Sequence, residues 1–91
     1  MLRLNCFIKV KEDHRSQVLE AARRLTDASL QQDGCIAYDI YESATRHDVL
    51  MICETWRDQA ALDAHSASEV FKKEGKILHS LASVTLEKFE F

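Results

Sequence analysis

The stretch "VLMICETW", residues 49–56, is apolar on both faces of a period-two chain: Val49, Met51 and Cys53 alternate with Leu50 and Ile52. A strand of that kind has to be covered on both sides. This single run therefore demands a sheet with helices on one face and something else over the other.

The remaining segments supply most of that arrangement. "LRLNCFIKV" (2–10) sets Leu2, Leu4, Cys6, Ile8 and Val10 against Arg3, Asn5, Phe7 and Lys9, which is strand periodicity. Asp13 offers an N-cap for a helix over about 14–32. Its apolar stripe is Val18, Ala22, Leu25 and Ser29, with Ala21 and Ala28 beside it. Gly34 follows as a stop signal. "CIAYDIYE" (35–42) reads as a second strand, joined to 49–56 by the polar turn "SATRHD". A helical region over about 58–79, broken near Ser66 to Ser68, precedes a last strand within "LASVTLEKFEF".

The order is β-α-β-β-α-β, the α+β arrangement called ferredoxin-like, with a four-stranded antiparallel sheet. With no proline, two glycines and no linker or repeat, residues 1–91 read as a single domain. The helices roof one sheet face only. The other face would leave a large apolar patch, so a face-to-face homodimer is expected.

Composition narrows the function. A net charge of −3 with scattered Lys and Arg gives no basic surface for nucleic acid. The opening "MLRLNCFIKVKED" has none of the apolar length of a signal peptide, and no run reaches membrane-spanning length, so no membrane partner is expected. Cys6, Cys35 and Cys53 are odd in number and far apart, which fits buried thiols in a reducing cytoplasm and disfavours a metal cluster.

Few polar residues look out of place: Asn5 in mid-strand, Tyr38 on strand 2, Glu54 and Trp56 at the end of strand 3, and His65 early in the second helical region. Each has a plain structural reading beside a functional one. Asn5 reads equally as a bulge cap or a ligand contact, Tyr38 and Trp56 as core fillers or cavity walls. Glu54 reads as a surface acid or a hydrogen-bond partner, Phe71 as core. His14, His47 and His79 read as helix-start, turn and helix-end residues. No motif for a covalent nucleophile or phosphate cradle appears. Any chemistry must be of the kind that a few residues accomplish, such as proton transfer in a small apolar pocket.

"DGCIAYDIY" followed by "ETWRDQAALDAHSASEVF" resembles the antibiotic biosynthesis monooxygenase-like family of small dimeric α/β barrels. The residues carrying the likeness are Asp33, Gly34, Cys35, Tyr38, Glu54, Trp56, Asp58, Ala61, Leu62, His65, Ser68 and Phe71. The resemblance implies a homodimer with a pocket in each subunit, and oxidation of a small aromatic molecule by O2 without metal, flavin or other cofactor. It implies His65 as base or proton shuttle, Asn5 and Tyr38 as hydrogen-bonding catalytic residues, and Trp56, Phe71, Phe7 and Glu54 as substrate-binding residues. Two departures stand out. Val70 occupies the place where many relatives carry a second histidine. The haem-degrading branch has a Trp and, about ten residues on, a ligating His where this chain has His65 and Gly75-Lys76; His79 lies a turn further. Alternatives are therefore a non-catalytic small-ligand-binding dimer, a haem-binding or haem-degrading protein, or an isomerase on the same fold.

Overall fold

The computed structural model describes residues Met1–Phe91 and has the elements β1 (Leu2–Val10), α1 (Glu12–Ser29), β2 (Cys35–Glu42), β3 (Val49–Trp56), α2 (Gln59–Ala67), α3 (Glu69–Leu81) and β4 (Ala82–Glu90). The strands form one antiparallel sheet in the order β2-β3-β1-β4. This is the ferredoxin-like α+β arrangement, with the second helix divided in two. No helix is long and apolar enough to cross a membrane.

All helices lie on one face. Leu2, Leu4, Cys6, Ile8 and Val10 of β1 and Leu50 and Ile52 of β3 are buried beneath Val18, Ala21, Ala22 and Leu25 of α1. Fully burying one aliphatic side chain contributes about 1.5–3 kcal/mol, so this layer holds the fold together. A second tie is electrostatic: Arg24 Nε of α1 donates to both carboxylate oxygens of the buried Glu74 of α3, at 3.1 and 2.9 Å.

The helix boundaries differ from the sequence reading in two places. Helix α1 begins at Glu12 behind Lys11, without a side-chain cap, because β1 runs to Val10 and leaves one residue for the turn. Asp13 lies in the first turn, where its charge favours the positive end of the helix. The helix ends at Ser29, and the backbone then winds more tightly, Gln31 N to Ala28 O and Gln32 N to Ser29 O. Gly34 has φ +81°, and a Cβ added there would lie 2.4 Å from Ala61 Cβ. Glycine is required both for the backbone angle and for that close approach.

The break between α2 and α3 falls at Ser68, which is C-cap of one helix and N-cap of the other. Its hydroxyl donates to His65 O at 2.6 Å and accepts from Phe71 N at 3.3 Å. In β2 a bulge between Cys35 and Ala37 adds one residue to the strand. Strict alternation would turn Cys35 and Tyr38 to opposite faces; the bulge returns both to the helix side.

The uncovered face carries exposed Phe7, Tyr41 and Phe89 and half-buried Met51 and Cys53, interleaved with Arg3, Asn5, Lys9, Asp39 and Glu87. It is thus more mixed than the continuous apolar patch expected.

Candidate functional site

Between the helices and the sheet lies a cavity of about 90 Å³. Leu4, Leu25, Ile52, Leu62, Leu78 and Val84 form much of its wall. Its polar groups come from five elements: Cys6 of β1, Tyr38 of β2, Glu54 of β3, His65 and Ser66 of α2, and His79 of α3. Phe71 and Gly75 of α3 complete it, and His79 is exposed.

His65 sits in the last turn of α2 and is 2% exposed. Trp56 lies against its ring at 4.5 Å between centroids, Phe71 meets it edge-on at 5.0 Å and Tyr38 lies at 5.7 Å. Its Nδ1 is 2.7 Å from Gln32 Oε1 and 3.5 Å from Ser29 Oγ, whereas Nε2 is buried without a partner. Burial disfavours the imidazolium and lowers the pKa to about 4. At neutral pH His65 is uncharged, and one nitrogen carries a free lone pair.

Glu54 and Trp56 are two residues apart on one strand and so share a face. Trp56 Nε1 donates to Glu54 Oε1 at 2.9 Å. Burial raises the Glu54 pKa, opposed by hydrogen bonding from Trp56 and Tyr38. Burial, and then the Glu54 carboxylate, raise the Tyr38 phenol, with Ser29 pulling the other way. The same two causes push the Cys6 thiol up to about 12. A thiol held that far from ionisation is a small apolar wall, not a nucleophile.

The cavity brings together His65, Tyr38, Glu54 and Phe71 from the set expected in the sequence. Trp56 is adjacent but does not line it; the indole backs His65 and binds Glu54. Asn5 and Phe7 are placed elsewhere. Both stand on the uncovered face, where Asn5 Nδ2 reaches Glu87 Oε1 at 3.5 Å and Phe7 is exposed. The reason is alternation: Leu4 and Cys6 face the helices, so Asn5 and Phe7 cannot. Val70 is half-buried against the core.

Sequence reasoning did not place Gln32 in the site at all, read Cys6 and Ser29 only as buried-face residues, and weighed His79 for function only as a haem ligand. The strand period that buries Leu4 also buries Cys6, so that signal was present. For His79, helical spacing from Phe71 and Gly75 (eight and four residues) was the available clue. Nothing local marks Gln32, which meets His65 from 33 positions away. No group of three His, Cys, Asp or Glu side chains gathers where it could hold a metal ion.

Residues 1–74 match the family model described as antibiotic biosynthesis monooxygenase. A crystal structure of a conserved protein of unknown function from Bacteroides thetaiotaomicron VPI-5482, called "Possible Oxidoreductase", is similar with TM-score 0.97 and 50% identity, covering 99% of this chain and 96% of that one. The Bacillus subtilis protein named "Putative monooxygenase YcnE" is 31% identical over 72 residues, 79% of this chain and 76% of that protein. Protein sll1783 of Synechocystis is 34% identical over 64 residues, 70% of this chain; the match spans 44% of that longer protein.

Proposed function

The chain belongs to the antibiotic biosynthesis monooxygenase family, and from that premise we propose that it oxidises a small electron-rich aromatic molecule with O2 and no prosthetic group. The substrate class is a phenol, quinol or anthrone-like compound. One observation carries the reading: the buried His65 Nε2 has no protein partner, and its ring lines an apolar cavity.

In this reading, neutral His65 takes the phenolic proton through Nε2. The resulting anion is electron-rich enough to reduce O2 itself. A C–O bond forms at a ring carbon, and the hydroperoxide loses water to leave a carbonyl. For a simple phenol the balance is phenol plus O2 giving quinone plus water. All four electrons come from the substrate, so no external reductant is needed. Tyr38 and Glu54, whose burial favours their protonated forms, hydrogen-bond the substrate oxygens. Phe71 and the aliphatic wall exclude water, and Trp56 holds the base in place.

Oxygen uptake with a panel of phenols, hydroquinones and anthrones tests this. General-base catalysis contributes about 10²–10⁴-fold, so His65→Ala should lose activity on that scale while remaining folded. No uptake across the panel, or full activity in His65→Ala, removes the reading.

A binding role without turnover is favoured by one specific observation: His65 is 2% exposed, and burial of that degree, lowering its pKa to about 4, makes it a weak base. In that case aromatic ligands raise the melting temperature with no oxygen uptake. The exposed Phe7, Tyr41 and Phe89 of the uncovered sheet face support a homodimer joined through that face.

A further inference from the structure

The turn after α1 is fixed at both ends around Gln32. Gln32 N donates to Ser29 O at 3.0 Å, and Cys35 N donates to Gln32 O at 3.2 Å. This holds the side chain against His65, with Oε1 2.7 Å from Nδ1. An amide oxygen only accepts, so this bond requires the proton on Nδ1 and leaves the lone pair on Nε2.

We propose that Gln32 is a positioning residue, its amide oxygen holding His65 as the Nδ1–H tautomer so that Nε2 meets a ligand as a hydrogen-bond acceptor. The assignment rests on the reading above, in which Nε2 takes the substrate proton.

The surroundings leave the tautomer to Gln32. Tyr38 from β2, Trp56 from β3 and Phe71 from α3 meet the histidine through their rings. Cys6 of β1, Glu54 of β3 and His79 of α3 line the same cavity without bonding the imidazole. Asp33 and Arg57, which line the outer cleft beside Gln32, pair with each other at 3.3 Å. Ser29 Oγ lies 3.5 Å from Nδ1, and a hydroxyl both gives and accepts, so it selects neither tautomer.

The choice of an amide also has a chemical purpose. A carboxylate at this place would orient the ring equally well but would stabilise the imidazolium. Glutamine orients the ring while leaving it neutral. Gln32 is half-buried on a cleft wall and outside the apolar core, so replacing it should leave the core packing intact.

The test is ¹⁵N NMR of the imidazole nitrogens in the full chain at neutral pH, without substrate. Wild type should show Nδ1 protonated and Nε2 bare. Gln32→Leu should mix the tautomers. Gln32→Glu should keep Nδ1 protonated and raise the His65 pKa by about 1–3 pH units, as an adjacent opposite charge does. If the protein turns over a phenol, the acid limb of its rate profile should move by the same amount in Gln32→Glu. A protonated Nε2 in wild type, or an unchanged tautomer and titration in both variants, overturns the assignment. The spectra need no turnover, so a protein that oxidises nothing in the panel can still satisfy them. An active protein with the other tautomer refutes only the role of Gln32.

Discussion

Trp56 and His65 lie ring against ring, 4.5 Å between centroids with planes inclined by 37°. The indole that covers His65 also donates its N–H to Glu54. One side chain therefore orders two of the cavity's titratable groups, desolvating the first and hydrogen-bonding the second.

Desolvation of His65 makes stability depend on pH. The ordinary histidine value of 6.5 is lowered to about 4 in the fold. Between those values the unfolded chain binds a proton there and the folded chain does not. Stability attributable to this group is therefore complete above pH 6.5 and declines as the pH falls toward 4. The slope approaches about 1.4 kcal/mol per pH unit, for a total of about 3 kcal/mol. Urea denaturation at pH 7, 5.5 and 4.5 should show that decline in wild type and a flatter curve in His65→Phe.

Trp56→Phe keeps an aromatic ring against His65 but leaves Glu54 without its indole donor. Loss of a partner to a buried polar group costs about 1–3 kcal/mol. The midpoint of chemical denaturation should fall accordingly, and the Glu54 carboxyl, followed by carbon-detected NMR, should titrate still higher. An unchanged carboxyl titration would mean that the indole bond does not hold the acid.

Gly34→Ala should destabilise by more than about 1 kcal/mol, since alanine resists the left-handed angle. The added methyl also meets Ala61 Cβ at 2.4 Å. Pairing it with Ala61→Gly relieves the contact but not the backbone angle, so the double variant should recover only part of the loss in a thermal melt.

Asn5→Ala should leave oxygen uptake at the wild-type rate, because Asn5 stands on the far side of the sheet from the cavity. A large fall in activity, with the oligomeric state unchanged by light scattering, would return Asn5 to the site.

Cavity size predicts a preference among substrates. An apolar cavity of about 150 Å³ holds benzene; at about 90 Å³ this one must open somewhat to admit one ring and far more to admit three. Single-ring phenols should therefore be turned over or bound better than three-ring compounds. Phe71→Ala, which removes one wall, should narrow or reverse that order.

Much of this fold is legible in the sequence itself. Period two identified β1 and β3, and a helical stripe identified α1; the serines at 66 and 68 marked the division of the second helix, because hydroxyl side chains cap better than they propagate. The placement of Asn5 and Phe7 was also contained in the alternation of "LRLNCFIKV", which sets them opposite Leu4 and Cys6. Other features depend on long-range geometry. The bulge at Cys35 and Ala37 that returns Tyr38 to the helix side leaves no local mark, nor does the meeting of Gln32 with His65 across two helix ends. The cavity volume depends on how side chains of different elements stop short of one another, which periodicity does not encode.

The division at Ser68 has a consequence for how such a chain diversifies. His65 stands on one short helix, while Phe71, Gly75, Leu78 and His79 stand on the next. A single serine joins the two, bonding the carbonyl of His65 and the amide of Phe71. Substitutions along the second helix can reshape what the chamber admits without rotating the imidazole. Under the proposed function, reactivity and selectivity are thereby written on separate pieces of backbone, and a lineage can revise one while conserving the other.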